Sequence, residues 1–589
     1  QMCIRDRLNK AWITSCSQPV PRWKFNCSKA NFKKEDYVEM WNAVFSLKKV
    51  PIFYLPYMRY PLGRERSTGF LIPSIGYTGR KGMTFSQAFF WAIRDNMDTT
   101  IQYDYYSYRG MGGGLEYRYL FPKGTNGQLE LYYFKFKQTP EQEELDNASI
   151  VRFAHNQTLP ANFKLVANID YQSSYDFLRE FDNNFRRAVV SNRGSQIYLS
   201  RAWSNFNLNM RASRFDTYSS IINRSVIRQG LPEISFNSNK IKMISPFYFS
   251  FTSAFSNWQY GWDFQYENNN QRRSQDLSFS PTLTVPFTAI PWLTLNSSVA
   301  ANFFYYFKSF APNTKNVVDE PFFRKDYSVD LELRGPSFYK IFFDSENAPK
   351  VKHIIEPILS YRYESPVSES DRIITSYYFF RYHYIKYGLY NSLLVKTEDM
   401  PSGREMFSLR LEQNYYLEPD ESPLSTVRLK NGEIPRFSDI NGYLRFVPTK
   451  TIGLDVSAGF NYYFKSFSTL RLSVSAGMPS DPYYLRLSWY KSSSPYYKSS
   501  IWSRHQISVY GGAEIPGLPV ELTGAIDFNI QEKKLLYSAL NCVYHYQCLD
   551  FKAEVRMYYF REKPEFQFNI SFGLGNIGKT TEFLGGMGF

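Results

Sequence analysis

The chain has 589 residues, 19% of them aromatic, and its 69 Lys and Arg against 54 Asp and Glu give a formal net charge of +15. Five Cys and five His are too few for a disulfide-rich scaffold or a metal array, and ordinary numbers of Gly (32) and Pro (31) exclude collagen-like and low-complexity classes. The basic residues are dispersed instead of forming a stripe or arm, so nucleic-acid binding is not expected.

The N-terminal sequence QMCIRDR has no basic and apolar leader and no cleavage site, so we expect a mature segment or a fragment. Cys3 lies in this stretch and is assigned no function. Uncharged stretches such as STGFLIPSIGYTG, from Ser67, are short and broken by Pro, Gly and Ser. A membrane-spanning helix needs about 18 apolar residues, so none is expected.

Alternation of apolar and polar residues is the main pattern of the chain and predicts strands with one apolar face. Clear examples are the stretches Phe163–Tyr171, Ile452–Phe464 and Phe566–Leu574, in which apolar residues occupy every second position. The mean hydropathy of −0.41 does not argue against a membrane barrel, because alternating strands average to a polar composition.

Strand length and aromatic placement favour a transmembrane β-barrel over a soluble all-β assembly, which would alternate in the same way. Many predicted strands run for about 9 to 13 residues, close to the roughly 9 to 11 residues that a tilted strand needs to cross a bilayer. Strands of soluble domains commonly have only about 5 or 6 residues. Tyrosine pairs suit the aromatic girdles of membrane interfaces. These pairs are Tyr105 and Tyr106, Tyr132 and Tyr133, Tyr305 and Tyr306, Tyr415 and Tyr416, and Tyr558 and Tyr559.

The number of strands follows from the length of the alternating region. Residues from Pro61 to the C-terminus, at roughly 20 per strand with its connection, predict about 26 antiparallel strands, at the large end for single-chain barrels. Side chains cannot fill so wide a lumen. The lumen should therefore hold water, a plug or a separate partner protein.

The run KKVPIFYLPYMRYPLGRERSTGFLIPSIGYTGRKG, from Lys48 to Gly82, strongly resembles the LPS-assembly outer-membrane protein family, LptD. The resemblance continues through YRGMGGGLEYRYL from Tyr108, QGLPEISF from Gln229, HIIEPILSYRY from His353 and RFSDI from Arg436, in the family's order. It implies that residues 1–50 are the end of a periplasmic β-jellyroll and that residues 51–589 form the barrel. The family's signal peptide and the first part of the jellyroll have no counterpart in this sequence.

The resemblance also implies a function and partners. The chain would be an integral protein of the Gram-negative outer membrane that receives lipopolysaccharide from a periplasmic Lpt bridge protein through the jellyroll. It would insert that substrate into the outer leaflet, among outer-membrane lipids, with the lipoprotein LptE plugging the lumen. It would be a transporter and not an enzyme, without a cofactor.

Lateral release into the membrane requires a seam between the first and last strands that can open. Pro removes a ladder hydrogen bond from a strand, and Pro56, Pro61 and Pro73 lie around the expected first strands. We therefore predict that these residues form a lateral gate. The alternative is a Pro-rich domain junction ahead of the barrel.

Cysteine positions supply a second prediction. In the family a jellyroll Cys in a T-S-C context pairs with a Cys near the last strands, and Cys16 in WITSC and Cys548 in YQCLD match those positions. Such a disulfide would form in the oxidising periplasm and tie the jellyroll to the barrel. Cys27 and Cys542 could form a second disulfide or remain free thiols. The family often has adjacent Cys residues near the C-terminus, which this sequence lacks.

Motifs for catalysis or cofactor binding are weak. GLGNIG, from Gly573, fits a dinucleotide-binding pattern, but only 11 residues follow it, so we predict a turn at the end of a strand. The five His, at positions 155, 353, 383, 505 and 545, show no metal-ligand spacing, and His353 is read as a strand-end or lumen residue. No catalytic residue and no metal site are predicted.

The excess positive charge has two interpretations: it could attract the phosphates and acidic sugars of lipopolysaccharide, or it could balance anionic lipid headgroups.

Two other function classes remain as alternatives. An outer-membrane porin or ligand-uptake receptor barrel would explain the alternation and size, but not the Pro-rich lead-in, the separated Cys residues or the ordered family blocks. An outer-membrane hydrolase would need a catalytic constellation on the barrel wall.

Overall fold

The computed structural model describes the part of the chain given by these ranges: 5–14, 16, 21, 23–33, 37–47, 49–61, 68–71, 74–78, 81–137, 147–173, 192–219, 224–262, 272–314, 316–344, 349–374, 380–397, 400–493, 504–546, 549–560 and 563–574. Nearly all of its regular structure is β-strand. Four single 3-10 turns accompany the strands, at Pro122–Gly124, Pro160–Asn162, Ser370–Arg372 and Pro419–Glu421. Within the described ranges, no helix has the length and apolar character needed to cross a membrane.

The N-terminal strands form a separate four-stranded antiparallel sheet in the order β1, β2, β3, β4. Their bounds are β1 (Arg5–Ile13), β2 (Trp23–Lys33), β3 (Tyr37–Leu47) and β4 (Val50–Pro61). Trp23, Phe25 and Cys27 alternate along β2 and are buried with Met40 of β3, because successive side chains of a strand point to opposite faces. One face of the sheet is therefore an apolar core.

The remaining strands, apart from one small hairpin, form an antiparallel barrel. Its strand segments are β5 (Gly69–Phe70), β6 (Ser74–Thr78), β7 (Gly82–Arg94), β8 (Met97–Tyr106), β9 (Gly110–Phe121), β10 (Thr125–Phe136), β11 (Ala148–Leu159), β12 (Phe163–Gln172), β13 (Asn192–Ala202), β14 (Phe206–Ser219), β15 (Arg224–Ser238), β16 (Ile241–Lys242), β17 (Tyr248–Trp262), β18 (Arg272–Ile290) and β19 (Leu293–Tyr306). The hairpin β20 (Ser309–Phe310) and β21 (Val317–Val318) lies in the next connection. The barrel continues with β22 (Phe322–Arg334), β23 (Phe338–Phe343), β24 (Pro349–Glu364), β25 (His383–Thr397), β26 (Met400–Tyr416), β27 (Ile440–Phe446), β28 (Ile452–Asn461), β29 (Ser466–Ala476), β30 (Tyr483–Ser492), β31 (Arg504–Glu514), β32 (Val520–Asn529), β33 (Lys534–Tyr546), β34 (Leu549–Phe560) and β35 (Lys563–Leu574).

The barrel closes because β35 pairs with β6. The described barrel has 29 strand segments, and in three places two successive segments pair with the same neighbouring strand and so occupy one position. These are β5 and β6 beside β7, β15 and β16 beside β17, and β22 and β23 beside β24. The described segments therefore occupy 26 positions, and the predicted large antiparallel barrel is confirmed. With an even number of antiparallel positions, the first strand begins and the last strand ends at the same rim.

The two faces of the barrel wall follow the predicted alternation. Apolar side chains stand exposed on the outer face, among them Leu131, Ile197, Leu283, Val299, Leu411 and Ile526. The strand predicted over Phe163–Tyr171 is β12. The strand predicted over Ile452–Phe464 instead ends at Asn461, because the side-chain oxygen of Asn461 accepts hydrogen bonds from the backbone of Tyr463 and Phe464, 3.1 Å each, and turns the chain.

Two of the predicted tyrosine pairs do not place both rings in a girdle, and the side chains of Tyr558 and Tyr559 lie outside the described part of the structure. Tyr105 is 42% exposed while Tyr106 is buried, and Tyr133 is 53% exposed while Tyr132 is buried. Consecutive residues of a strand face opposite sides, so one ring of each of these pairs lies outside and the other inside the wall.

The predicted boundary between the two units needs a correction. β4 belongs to the N-terminal sheet and extends to Pro61, so the barrel does not begin at residue 51. β4 pairs with β3 along most of its length, from Val50 opposite Leu47 to Pro61 opposite Tyr37. The first described barrel segment is β5.

Candidate functional site: the barrel seam and the N-terminal sheet

The seam is the junction where the barrel closes. Its described register pairs are Gln567 with Thr78 and Phe568 with Tyr77. The adjacent junction between β34 and β35 is registered along the whole of both strands. Since β6 has only five residues, few ladder hydrogen bonds can form at the seam compared with the rest of the wall.

The first barrel position is also interrupted, because β5 and β6 are separate segments. β5 is held towards β7: the backbone N–H of Leu71 donates to the Ala88 carbonyl (2.8 Å), and Nε2 of Gln87 donates to the Leu71 carbonyl (2.7 Å). In the described ranges, β5 has register partners on β7 and none on β35. Among the described residues, the first barrel position therefore offers the seam two separate segments, of which β6 pairs with β35.

The three gate prolines do not lie together. Pro56 and Pro61 belong to β4 of the N-terminal sheet, where β4 pairs with β3, so they cannot weaken a ladder between the first and last barrel strands. This part of the gate prediction is corrected. Pro73 lies outside the described residues, immediately before β6 in the sequence.

The N-terminal sheet contacts the barrel near the start of β34. Phe551 packs against the buried core of the sheet, the core that contains Cys16, Trp23 and Met40. β34 runs antiparallel to β35, so its first residues lie at the rim where β35 ends and where the chain enters the barrel. This contact joins the sheet to a strand that neighbours the seam.

The cysteines have different states. Cys16 is buried and disulfide-bonded, while Cys548 lies outside the described residues. Cys27 and Cys542 are free thiols, so the second disulfide considered for them is not formed. Cys27 is buried on β2 with its Sγ 3.3 Å from the Ala11 carbonyl, whereas Cys542 lies on β33 of the barrel. Burial raises the pKa of the Cys27 thiol.

The wall beside the seam has a feature that sequence reasoning missed. On the inner face of β8, Asp104 is fully buried and accepts hydrogen bonds from Nε2 of Gln102 (2.9 Å) and from the hydroxyl of Tyr132 (2.7 Å) on β10. Tyr132 reaches β8 across Gly112 and Gly114 of β9, which have no side chains in its way. The signal was present as glycine at every second position of GMGGG, but that run was read only as part of a family block.

Hydrogen bonds join several strand connections at the rim opposite the one where the chain enters the barrel. Arg372, between β24 and β25, donates to Ser309 Oγ (3.2 Å) and to Glu320 (3.3 Å) in the connection that follows β19. Arg381, in the same connection as Arg372, donates from Nε to Glu421 (2.5 Å), between β26 and β27. Side-chain hydrogen bonds therefore link three successive connections along this part of the rim.

Three of the five histidines have ordinary structural partners. His155 Nδ1 lies 2.6 Å from the Tyr119 hydroxyl, His353 Nε2 lies 3.1 Å from Asn391 Oδ1, and His545 Nδ1 lies 2.7 Å from Asp550 Oδ1. The prediction for the GLGNIG run concerns residues mostly beyond the end of β35, outside the described ranges. The described residues include no cluster of three or more His, Cys, Asp or Glu side chains that could hold a metal ion.

Comparisons with known proteins agree with the resemblance noted in the sequence. The family model described as LptD protein matches residues 40–414. The chain is 27% identical over 234 residues to the LPS-assembly protein LptD of Haemophilus influenzae (strain 86-028NP), covering 40% of this chain and 30% of that protein. It is 24% identical over 447 residues to the LPS-assembly protein LptD of Actinobacillus pleuropneumoniae serotype 7 (strain AP76), covering 70% of this chain and 55% of that protein.

A solved structure also aligns with the chain. The alcaligin outer-membrane receptor FauA from Bordetella pertussis aligns over 92% of this chain and 82% of its own, with 8% identity and a TM-score of 0.31. A score of this size does not establish a shared fold. The two curated relatives are matched over about a third and about half of their own lengths.

Proposed function

The chain belongs to the LptD protein family, and on that basis we propose that it is an outer-membrane translocon that inserts lipopolysaccharide into the outer leaflet. The observation that carries this proposal is the family match over residues 40–414, which includes the first barrel segments, β5 and β6, on one side of the seam. The substrate would arrive from a periplasmic Lpt bridge protein through the N-terminal sheet. It would leave sideways between the first and last strands.

The short ladder at the seam supports lateral release. Each backbone hydrogen bond contributes about 0.5–1.5 kcal/mol net, so a junction with few of them costs least to open. β6 offers five residues to β35, whereas β34 and β35 pair along twelve. Pro73 precedes β6 directly and has no backbone N–H to donate, so we propose it as the gate proline.

A disulfide between Cys16 and Cys548 would hold the N-terminal sheet at this seam. Cys16 is disulfide-bonded and Cys27 and Cys542 are free, which leaves Cys3 and Cys548 as candidates for its partner. Cys548 lies three residues before Phe551, which packs on the same core as Cys16. The tether would keep the delivering sheet aligned with the strands that part.

The lumen would hold the lipoprotein LptE. A barrel of 26 positions, with strands about 4.8 Å apart and tilted by about 40°, is roughly 50 Å across if circular, far too wide for wall side chains to fill. A plug would prevent leakage while leaving a path for sugars along the wall. Transport, not catalysis, is the proposed activity.

Locking the seam tests the proposal. Thr78 and Gln567 are register partners across the seam, and cysteines placed at such positions can form a disulfide. In cells that depend on this chain, the oxidised Thr78→Cys/Gln567→Cys variant should lower surface lipopolysaccharide to background, and reductant should restore it. The matched control is Lys164→Cys/Ser200→Cys, a register pair between β12 and β13 in the closed wall.

Undiminished delivery with an oxidised seam would contradict lateral release. Ion conduction by the purified barrel, together with no effect of either crosslink on surface lipopolysaccharide, would instead favour a porin or receptor. Wild-type cells treated with the same oxidant and reductant account for effects on the natural disulfide.

A further inference from the structure

The inner wall contains a cavity far from the seam. It has a volume of about 330 Å³ and extends from β25 to β29. The lining residues used below are Tyr390, Arg410, Tyr443, Arg445, Asp455 and Arg471. Neither the seam nor the N-terminal sheet includes any of these residues.

The strand register brings three arginines to one inner surface. Arg410 of β26 is opposite Tyr443 of β27, which is opposite Ser457 of β28, which is opposite Arg471 of β29. Residues opposite each other in a ladder face the same side, and neighbouring strands lie about 4.8 Å apart. Arg410 and Arg471 therefore begin roughly 14 Å apart, with Arg445 on the strand next to Arg410, so all three side chains can reach a group held between them.

Opposite charges in and beside the cavity do not fully occupy these guanidinium groups. Arg471 has no ion pair with a described carboxylate and lies 5.4 Å from the ring centroid of Tyr490. Arg445 is 3.9 Å from Asp455, and both side chains are more than 60% exposed. Arg410 pairs with Glu412 and is 52% exposed. Ion pairs this exposed are worth little, so the arginines can exchange them for a ligand anion.

We infer that this cavity binds an anionic sugar, one carrying a phosphate or a carboxylate. Guanidinium groups match the geometry of phosphate and carboxylate oxygens, and the half-exposed Tyr443 offers a ring face and a hydroxyl to the sugar. The volume is at the small end of ligand pockets, which suits a single sugar. A protein partner would bury a much larger surface, typically about 800 Å² on each side.

The role of this site as a contact for saccharide that passes along the wall rests on the proposed function, because a lipopolysaccharide translocon must conduct anionic sugars. The binding of an anionic sugar to the cavity does not depend on that function. It can be measured with small probes on the purified full chain in detergent, independently of delivery.

The test is a titration of the full chain with glucose 6-phosphate, glucuronate and glucose, followed by calorimetry or ligand-observed NMR. We expect glucose 6-phosphate or glucuronate to bind at least tenfold more tightly than glucose. The Arg445→Ala/Arg471→Ala variant should lose at least tenfold of that affinity. Arg334→Ala, an exposed arginine of β22 outside the cavity, is the matched control and should bind as wild type does.

Folding of each variant is checked by its heat-dependent mobility in electrophoresis, and Arg445→Gln/Arg471→Gln replaces the alanine variant if that variant does not fold. Equal affinity for glucose and both anionic sugars overturns the inference. Unchanged binding in the double variant does so too, since the site would lie elsewhere. Inorganic phosphate that binds as tightly as glucose 6-phosphate also overturns the inference, because the sugar would then contribute nothing to recognition. A seam lock that fails to stop delivery, with sugar binding intact, rejects lateral release alone and leaves the sugar site standing.

Discussion

The hydroxyl of Tyr132 donates a 2.7 Å hydrogen bond to Oδ2 of Asp104, crossing the full width of β9 to join β10 to β8. The bond is buried on both sides, and the rings of Phe134 and Phe136, with centroids 4.9 Å apart, pack beside it on the same face. The crossing requires glycine on the inner face of β9. Three consecutive strand positions near the seam are therefore joined by a side-chain contact that does not depend on the ladder.

Side chains added at these glycines should loosen the wall. A Cβ at Gly112 would lie 2.8 Å from Cδ2 of Phe134, and one at Gly114 would lie 2.9 Å from Cδ2 of Tyr132, so either must displace a ring. Gly112→Ala should lower the free energy of unfolding by roughly 1–3 kcal/mol. Gly113→Ala is the control, because its Cβ would meet only the Gln102 carbonyl at 3.7 Å. Urea unfolding of the detergent-solubilised barrel measures both, and equal loss in the two variants would contradict this account.

Removing the tyrosine hydroxyl tests the same bond. Tyr132→Phe leaves the ring in place but takes one donor from the buried Asp104 carboxylate, which should cost roughly 1–3 kcal/mol. Tyr133→Phe, next to it on the exposed outer face, should change the unfolding free energy far less. The measurement is urea unfolding of both variants. A Tyr132→Phe variant as stable as wild type would show that Gln102 alone satisfies Asp104.

Proline substitutions separate the gate from the N-terminal sheet. Pro73→Ala restores a backbone N–H beside β6 and should tighten the seam, which would lower surface lipopolysaccharide. Pro61→Ala is the matched control, because Pro61 lies in β4 and pairs with β3 instead of with the last barrel strand. Surface lipopolysaccharide is compared in cells that carry each variant. Equal lipopolysaccharide delivery by both variants would contradict a role of Pro73 in opening the seam.

The tether has a direct chemical test. Non-reducing electrophoresis should show a mobility shift that is absent under reducing conditions and lost in both Cys16→Ser and Cys548→Ser variants. Cys542→Ser should keep the shift, because that thiol is free. A shift that survives Cys548→Ser would assign the partner of Cys16 to Cys3.

The buried thiol of Cys27 should report on the N-terminal sheet. Desolvation raises its pKa, so less thiolate is present at pH 8 than in an unfolded chain, and alkylation should be at least tenfold slower in the folded protein. A folded pKa above the unfolded value means that this contribution to stability is present at neutral pH and is lost as pH rises through the folded pKa. Mass spectrometry of maleimide-treated protein measures the rate, with the half-buried Cys542 as an internal comparison. Equal labelling of Cys27 before and after unfolding would contradict its burial.

Much of the fold could be predicted from the sequence because apolar residues recur at every second position in a strand with one apolar face. Alternation in Phe163–Tyr171 predicted β12, and the length of the alternating region predicted about 26 strands. Local chemistry limited the precision. Alternation continues to Phe464, but β28 ends at Asn461, where a side-chain hydrogen bond to the backbone turns the chain.

The sequence by itself determined the fold class, the approximate size of the barrel and the family, because periodicity and motif order are properties of neighbouring residues. Only the tertiary structure decided what depends on pairing between distant strands. It placed Pro56 and Pro61 in the N-terminal sheet, divided tyrosine pairs between the two faces of the wall, and brought Asp104 to Tyr132 and Arg410 to Arg471. Register and sheet order set those contacts, and neither can be read from residues adjacent in sequence.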